Sequence, residues 1–387
     1  MTREVVPAHE IFAKAHAIGQ YYGFTPLSVF AAKVRGTPRP EAQKEGPSQE
    51  EAALDPVAEA MISFLRQFQK GGGNPSARQP FFLWHTNLAP GRPGQKRVTI
   101  QFHALGNDHA LADTVVIRAL LALAQDLFRE KPIVRVNSMG DKETRARWAR
   151  ELGTFFRKRA NTLPEDLGES VRRDVLEAAE LAIARGIADD LPSPIDHLSD
   201  ASRKRFEDLL EYLEVTDTPY ELARHLVSRG SGWSDTCFEV SVGGRRIGWG
   251  SRYGNLTKHV FPATPFSATG ALLTLASGGE TVPPFRSEKP SRQRIRFSFV
   301  HIGDEAKRLS IRLAEDFRRA RIPLTQHIGV ESLAEQMHLV ERQNSPYLLI
   351  MGRKEALDGS AILRNRATQE ETVLPLASLT ERLKAFA

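Results

Sequence analysis

The chain of 387 residues is 41% hydrophobic and 26% charged, the balance of a soluble globular protein with room for two or three domains. No stretch approaches the roughly 20 continuous apolar residues of a membrane span, the N-terminal MTREVVPAHEIFAKAHAIGQ lacks the apolar core of a secretory signal, and the single cysteine, Cys237, excludes an internal disulfide and a Cys-rich metal cluster. The net charge of +6 is concentrated at the end: residues 286–387 hold 18 Lys and Arg against 13 Asp and Glu, an excess of +5, which suits a polyanion such as RNA as well as a solvated mixed surface.

The apolar spacing predicts a helix over 8–22, ending near Gly23. Residues 35–54 carry Gly36, Pro38, Pro40, Gly46 and Pro47 and read as a loop. Residues 55–70 read as a helix with Asp55 as N-cap and Met61, Phe64, Leu65 and Phe68 on one face. Phe81 to His85 and Arg97 to His103 read as antiparallel strands joined by a Pro- and Gly-rich loop. A strongly apolar helix over 110–129, a buried strand over 133–137 and a very basic helix over 142–159 follow. Residues 163–185 and 199–214 read as further helices, and residues 238–242 and 246–250 as a hairpin around Gly243-Gly244. SGGETVPPFRSEKPSRQ (277–293) is the clearest linker. Beyond it, strands at 294–302, 324–328 and 347–351 alternate with helices at 304–321 and 332–342. Two more strands, at 361–364 and 371–375, precede a closing helix at 376–386. Alternating strands and helices imply parallel pairing with helices on the faces.

Five segments carry a family resemblance. Asn137-Ser138-Met139-Gly140-Asp141 resembles a strand-to-helix segment of histidyl-tRNA synthetases, and residues 191–220 resemble the return of that family's insertion to its core. Gln101-Phe102-His103 resembles the end of the second class II motif, and Ser251-Arg252-Tyr253-Gly254-Asn255-Leu256 resembles the family's Gly-Arg-Tyr-Asp-Gly-Leu turn. Residues 294–386 are similar throughout to its anticodon-binding domain. The resemblance implies an α+β class II synthetase-like core, an antiparallel sheet flanked by helices, over 1–160 and 195–280. It further implies a helical insertion over 161–194, a linker over 281–293, a C-terminal α/β anticodon-binding-like domain over 294–387, and a homodimer.

Amino-acid activation brings a triphosphate to a carboxylate, so arginines and a metal must meet the developing charge. Placed residue by residue, the family's arginines and glutamates are missing. The second-motif arginine falls near Ala89 and its companion glutamate near Gly91, with Arg92 the nearest base. The third-motif arginine should follow Gly270, where the chain reads Ala271-Leu272. The acceptor for the substrate's amino group falls on Val57. The histidine-recognition arginine falls on Ser228, one place before Arg229, and its two tyrosines become Gly232 and Trp233. Losing one such contact costs about 3–4 kcal/mol in the barrier.

The expected function is thus that of a catalytically degenerate synthetase relative acting by binding tRNA, another RNA or a protein. It needs no cofactor. The alternative is an active histidine–tRNA ligase using ATP and Mg, with Arg92, Arg97 and Arg229 in the vacated roles. A third is a histidine-sensing regulatory subunit of the ATP phosphoribosyltransferase type, against which the C-terminal domain counts. Gln101, His103, Trp233, Arg252 and Tyr253 are the expected vestige of the substrate pocket. Arg318, Arg319, Arg321, Arg342, Arg353 and Lys354 are the RNA-binding candidates. His85, His103 and His109 have no metal-ligand spacing, so no metal site is expected, and Cys237 sits in an apolar run as an inert thiol.

Overall fold

The computed structural model describes residues 8–31, 56–76, 79–90, 96–187, 190–227, 232–277, 296–330 and 332–386. The loop expected at 35–54, the N-cap Asp55 and the linker at 281–293 lie outside them. Helix α1 (Ala8–Tyr21) is followed by β1 (Thr25–Pro26), α2 (Ser28–Ala31) and α3 (Pro56–Lys70), whose Met61, Phe64, Leu65 and Phe68 are buried as their spacing predicts. Strands β2 (Phe81–Pro90) and β3 (Lys96–Leu105) pair antiparallel from Phe81 opposite Leu105 to Pro90 opposite Lys96. Helix α4 (Ala110–Leu127) buries every residue from Ala110 to Ala124, because it lies between the sheet and its helical neighbours.

Strand β4 (Ile133–Ser138) leads into α5 (Lys142–Lys158), capped by Asp141, which accepts a hydrogen bond from Thr144 N at 2.9 Å. The single helix expected over 163–185 is two, α6 (Glu165–Arg173) and α7 (Val175–Ala184). Asp174 breaks it: its backbone is extended and its carboxylate caps α7 through Leu176 N at 2.9 Å. Helix α8 (Asp200–Val215) and β5 (Tyr220–Leu222) lead to the hairpin of β6 (Ser234–Val242) and β7 (Arg245–Arg252), turned at Gly243 and Gly244, both at positive φ. A short helix α9 (Gly254–Thr257) and a long strand β8 (Ala268–Ser277) complete this part.

The first sheet has the order β1-β2-β3-β8-β7-β6-β4-β5. Its six central strands are antiparallel, and only the two short edge strands pair in parallel. This is the helix-flanked antiparallel sheet that the class II resemblance implies. The C-terminal unit consists of β9 (Phe297–His301), α10 (Asp304–Arg319), β10 (Leu324–Gln326), α11 (Leu333–Gln343) and β11 (Tyr347–Met351), then α12 (Arg353–Leu357), β12 (Ser360–Asn365), β13 (Glu371–Pro375) and α13 (Leu376–Lys384). Its sheet order is β10-β9-β11-β12-β13. The first three strands are parallel, as the strand–helix alternation requires, and the last two are antiparallel.

The two units share a core. Tyr22 and Phe24, just beyond α1, belong to the same buried cluster as Phe297 and Phe317. Gly23 (φ +77°) passes so close to β10 that a Cβ there would sit 2.7 Å from Gln326 O, which only glycine permits. Gln326 Nε2 donates to Tyr21 O at 2.8 Å, and Arg318 reaches from α10 to Asp126 on α4 at 2.6 Å.

Candidate functional site

Along β3, Val98, Ile100, Phe102 and Ala104 turn to the core under α4, and Gln101, His103 and Leu105 to the opposite face. That second face holds four of the five residues expected to be vestiges of a substrate pocket, and it is packed shut. His103 is fully buried. Its Nδ1 lies 2.7 Å from Tyr253 Oη and its Nε2 3.0 Å from Gln101 Oε1. A carbonyl oxygen can only accept, so Nε2 carries the hydrogen and Nδ1 accepts from the tyrosine. Phe64 of α3 lies flat on the imidazole, with ring centroids 3.6 Å apart and planes 11° apart. Trp233 is buried and meets Trp249 edge-on at 4.7 Å. Gly270, beside the expected third-motif position, has no room for a side chain. A Cβ there would lie 2.6 Å from His103 Nδ1 and 2.7 Å from Tyr253 Cε1.

Burial, then the neighbouring His85, pushes the His103 pKa well below the ordinary histidine value, and burial pushes Tyr253 well above that of a free phenol. A neutral imidazole and a neutral phenol, sealed from water, neither give nor take protons near pH 7. They form a hydrogen-bonded plug.

Arg252 does not share this face. It points to the α4 side, where its Nε donates to Asp113 at 2.9 Å and its Nη1 to Ser267 and Asp108 at 2.9 and 3.2 Å. Its Nη2 donates to His109 O at 2.8 Å. Asp113 is fully buried and also accepts from Thr269 and Thr236 at 2.5 and 3.2 Å. Arg252 therefore fastens the start of α4 to β7, and on this side it lines a separate cavity of about 280 Å³ with Asp108, Arg205 and Asp235. A carboxylate within an apolar helix signals a buried cation partner, and Asp113 is the sequence sign that pointed to this pair. Phe64 was legible only as a core residue.

Of the catalytic candidates, Arg97 is exposed on β3, whereas Arg92 and Arg229 lie outside the described residues, as do Gly91 and Ser228. Ala271, next to Gly270, is fully buried in the core under α4. Among the described residues no group of three His, Cys, Asp or Glu could hold a metal ion, and no helix is long and apolar enough to cross a membrane. Cys237 is buried, and burial pushes its thiol up to about 12.

The RNA-binding candidates divide. Arg321, Arg353 and Lys354 are exposed, and Arg342 lies on α11, its side chain outside the described residues. Arg319 is exposed but held by Glu315 at 2.8 Å. Arg318 is corrected: its side chain is 12% exposed and committed to Glu315 and Asp126 at the junction of the two units, because a long cation at a helix end was free to turn inward as well as outward.

Residues 297–386 match the family model of the anticodon binding domain. The histidine–tRNA ligase of Geobacillus sp. (strain WCH70) is 28% identical over 332 residues, covering 81% of this chain and 76% of that protein. The enzyme of Desulfatibacillum aliphaticivorans is 26% identical over 85% of this chain and 80% of its own length. Over most of its length the chain is similar to histidine–tRNA ligases. Among solved structures, apo Staphylococcus aureus histidyl-tRNA synthetase is similar over 99% of this chain and 98% of its own, at 17% identity and a TM-score of 0.48. The match to the anticodon-domain model begins and ends within the C-terminal unit, while the ligases align well beyond it.

Proposed function

We propose that this chain does not form histidyl-adenylate and acts by binding, with the C-terminal unit contacting tRNA or another RNA and the core serving as a dimerising platform. The observation that carries this reading is the plug. An adenylate site needs an open polar cavity with arginines aimed at the phosphates. The face that carries four of the five expected pocket residues instead holds Phe64 stacked on His103, Tyr253 on the imidazole's other nitrogen, and Trp233 packed on Trp249. The missing arginines and glutamate deepen the same reading, because three or four absent charged contacts at about 3–4 kcal/mol each reduce activity to a negligible level even when only partly additive.

Histidine-dependent ATP–pyrophosphate exchange with the purified full chain tests it. No exchange above a blank without histidine is expected, and clear exchange overturns the proposal. The second reading, an active divergent ligase using ATP and Mg, draws on one observation. Arg97 is exposed on the strand that carries His103, and the same assay on Arg97→Ala decides whether it supports any residual turnover. RNA binding is read by filter retention across salt. Affinity that falls with salt supports phosphate contacts, and affinity indifferent to salt counts against them. Sedimentation gives the dimer. A protein partner that replaces RNA is the remaining outcome of the binding arm.

A further inference from the structure

A polar cavity of about 200 Å³ lies where the C-terminal unit meets the core, on the α4 side of the first sheet, opposite the plug. Its floor is Arg118 of α4. This guanidinium is 7% exposed. Its Nη1 donates to Thr216 O and, at 2.8 Å, to Thr218 Oγ1, while its Nε finds no acceptor. Among the described residues no carboxylate lies within ion-pairing distance of it. The acid that shares its cavity, Glu315, interacts with Arg118 through space, but its ion-pair contacts go to Arg318 and Arg319, and it accepts from Tyr22 Oη at 3.2 Å. A buried cation whose nearest acid is shared with two other arginines is only partly compensated, and one set in the floor of a polar cavity is met either by water or by an anionic guest.

The rim carries both charges. Asp316, on α10, is exposed and forms no ion pair among the described residues, whereas Asp217, in the turn after α8, is paired with Arg312 at 3.0 Å, and Arg312 and Arg319 line the cavity too. A polyanion is disfavoured by the unpaired Asp316 beside the acids already paired, and a simple cation by Arg118. A small molecule with a carboxylate at one end and an ammonium at the other satisfies both.

We infer that the junction cavity is a binding site for a small zwitterion of free amino-acid size, its carboxylate on Arg118 and its ammonium toward Asp316. Because its walls come from both units, an occupant fastens one to the other. The site is independent of the reading given for the plugged face, since no residue is shared.

The test is thermal unfolding and calorimetry of the full chain with each of the free amino acids at millimolar concentration, with acetate and inorganic phosphate as probes for anion binding alone. At least one amino acid raises Tm in a concentration-dependent way, and acetate and phosphate do not. Arg118→Met and Asp316→Asn each weaken that binding by roughly tenfold or more, the scale of one charge-assisted hydrogen bond. Asp316 is exposed and unpaired, so its variant folds. The proposal is overturned if no amino acid binds, if acetate or phosphate binds as well as any of them, or if both variants bind as the parent does. A fall in the unliganded Tm of Arg118→Met with an unchanged ligand response marks Arg118 as a strut and overturns it too.

Discussion

Replacing Phe64 by alanine removes the ring that covers His103. The side chain is 1% exposed, and its ring lies 3.6 Å from the imidazole and 6.4 Å from that of His85. Truncating a buried phenylalanine costs about 3–5 kcal/mol, set by how far the neighbours collapse into the space. Collapse here is limited, because His103 is pinned by Tyr253 and Gln101 and the strand behind it is held on both edges. The upper half of that range is therefore expected from urea unfolding, with Val373→Ala, at a side chain 64% exposed, as a control within about ±0.5 kcal/mol. Water entering the space also relieves the burial that depresses His103, so its imidazole titrates closer to the ordinary range when followed by NMR. A loss below about 1 kcal/mol with an unmoved His103 titration refutes the plug.

Asp113→Asn removes the buried counter-charge of Arg252, leaving only the more exposed Asp108, and is expected to cost about 3 kcal/mol, read by the same denaturation. Gly270→Ala forces a methyl into His103 and Tyr253 and lowers Tm, whereas Gly153→Ala, a helical site with open space around its Cβ, does not. His301 is buried with neither ring nitrogen partnered, and burial, then Lys307 and His327, pushes its pKa down to about 3. It folds neutral, but the unfolded chain takes a proton below about 6.5, so stability is flat above that pH and falls from there toward pH 3, by up to about 1.4 kcal/mol per unit from this residue. His301→Leu flattens that slope between neutral pH and about pH 5, and an unchanged slope shows that other groups carry it.

Much of this was legible along the chain. The stripe of α3, the hairpin at Gly243-Gly244, and the alternation of strand and helix after the linker each express a period or turn preference that survives any neighbour. Asp174 was legible in principle, as an N-cap residue inside a stretch read as one helix. Strand β8 escaped because its centre, Gly270-Ala271-Leu272-Leu273, carries no alternation. It is buried on both sides of the sheet and takes its shape from β3 and β7. The contacts that define the site were not legible at all. Phe64 and His103, Asp113 and Arg252, and Arg118 and Thr218 are 39, 139 and 100 residues apart, and only the assembled sheet brings them together. The matching fate of Arg318 shows the converse: the same helix-end cation serves a solvent face or an internal joint according to what stands opposite.

The joint itself has a further consequence. Tyr21 O and Gln326, Asp126 and Arg318, Asp217 and Arg312, and the aromatic core shared by Phe24 and Phe317 hold the two units together. A protease cut between 278 and 295 therefore severs the chain without separating its parts. The fragments run as two bands under denaturation and travel as one particle in native buffer.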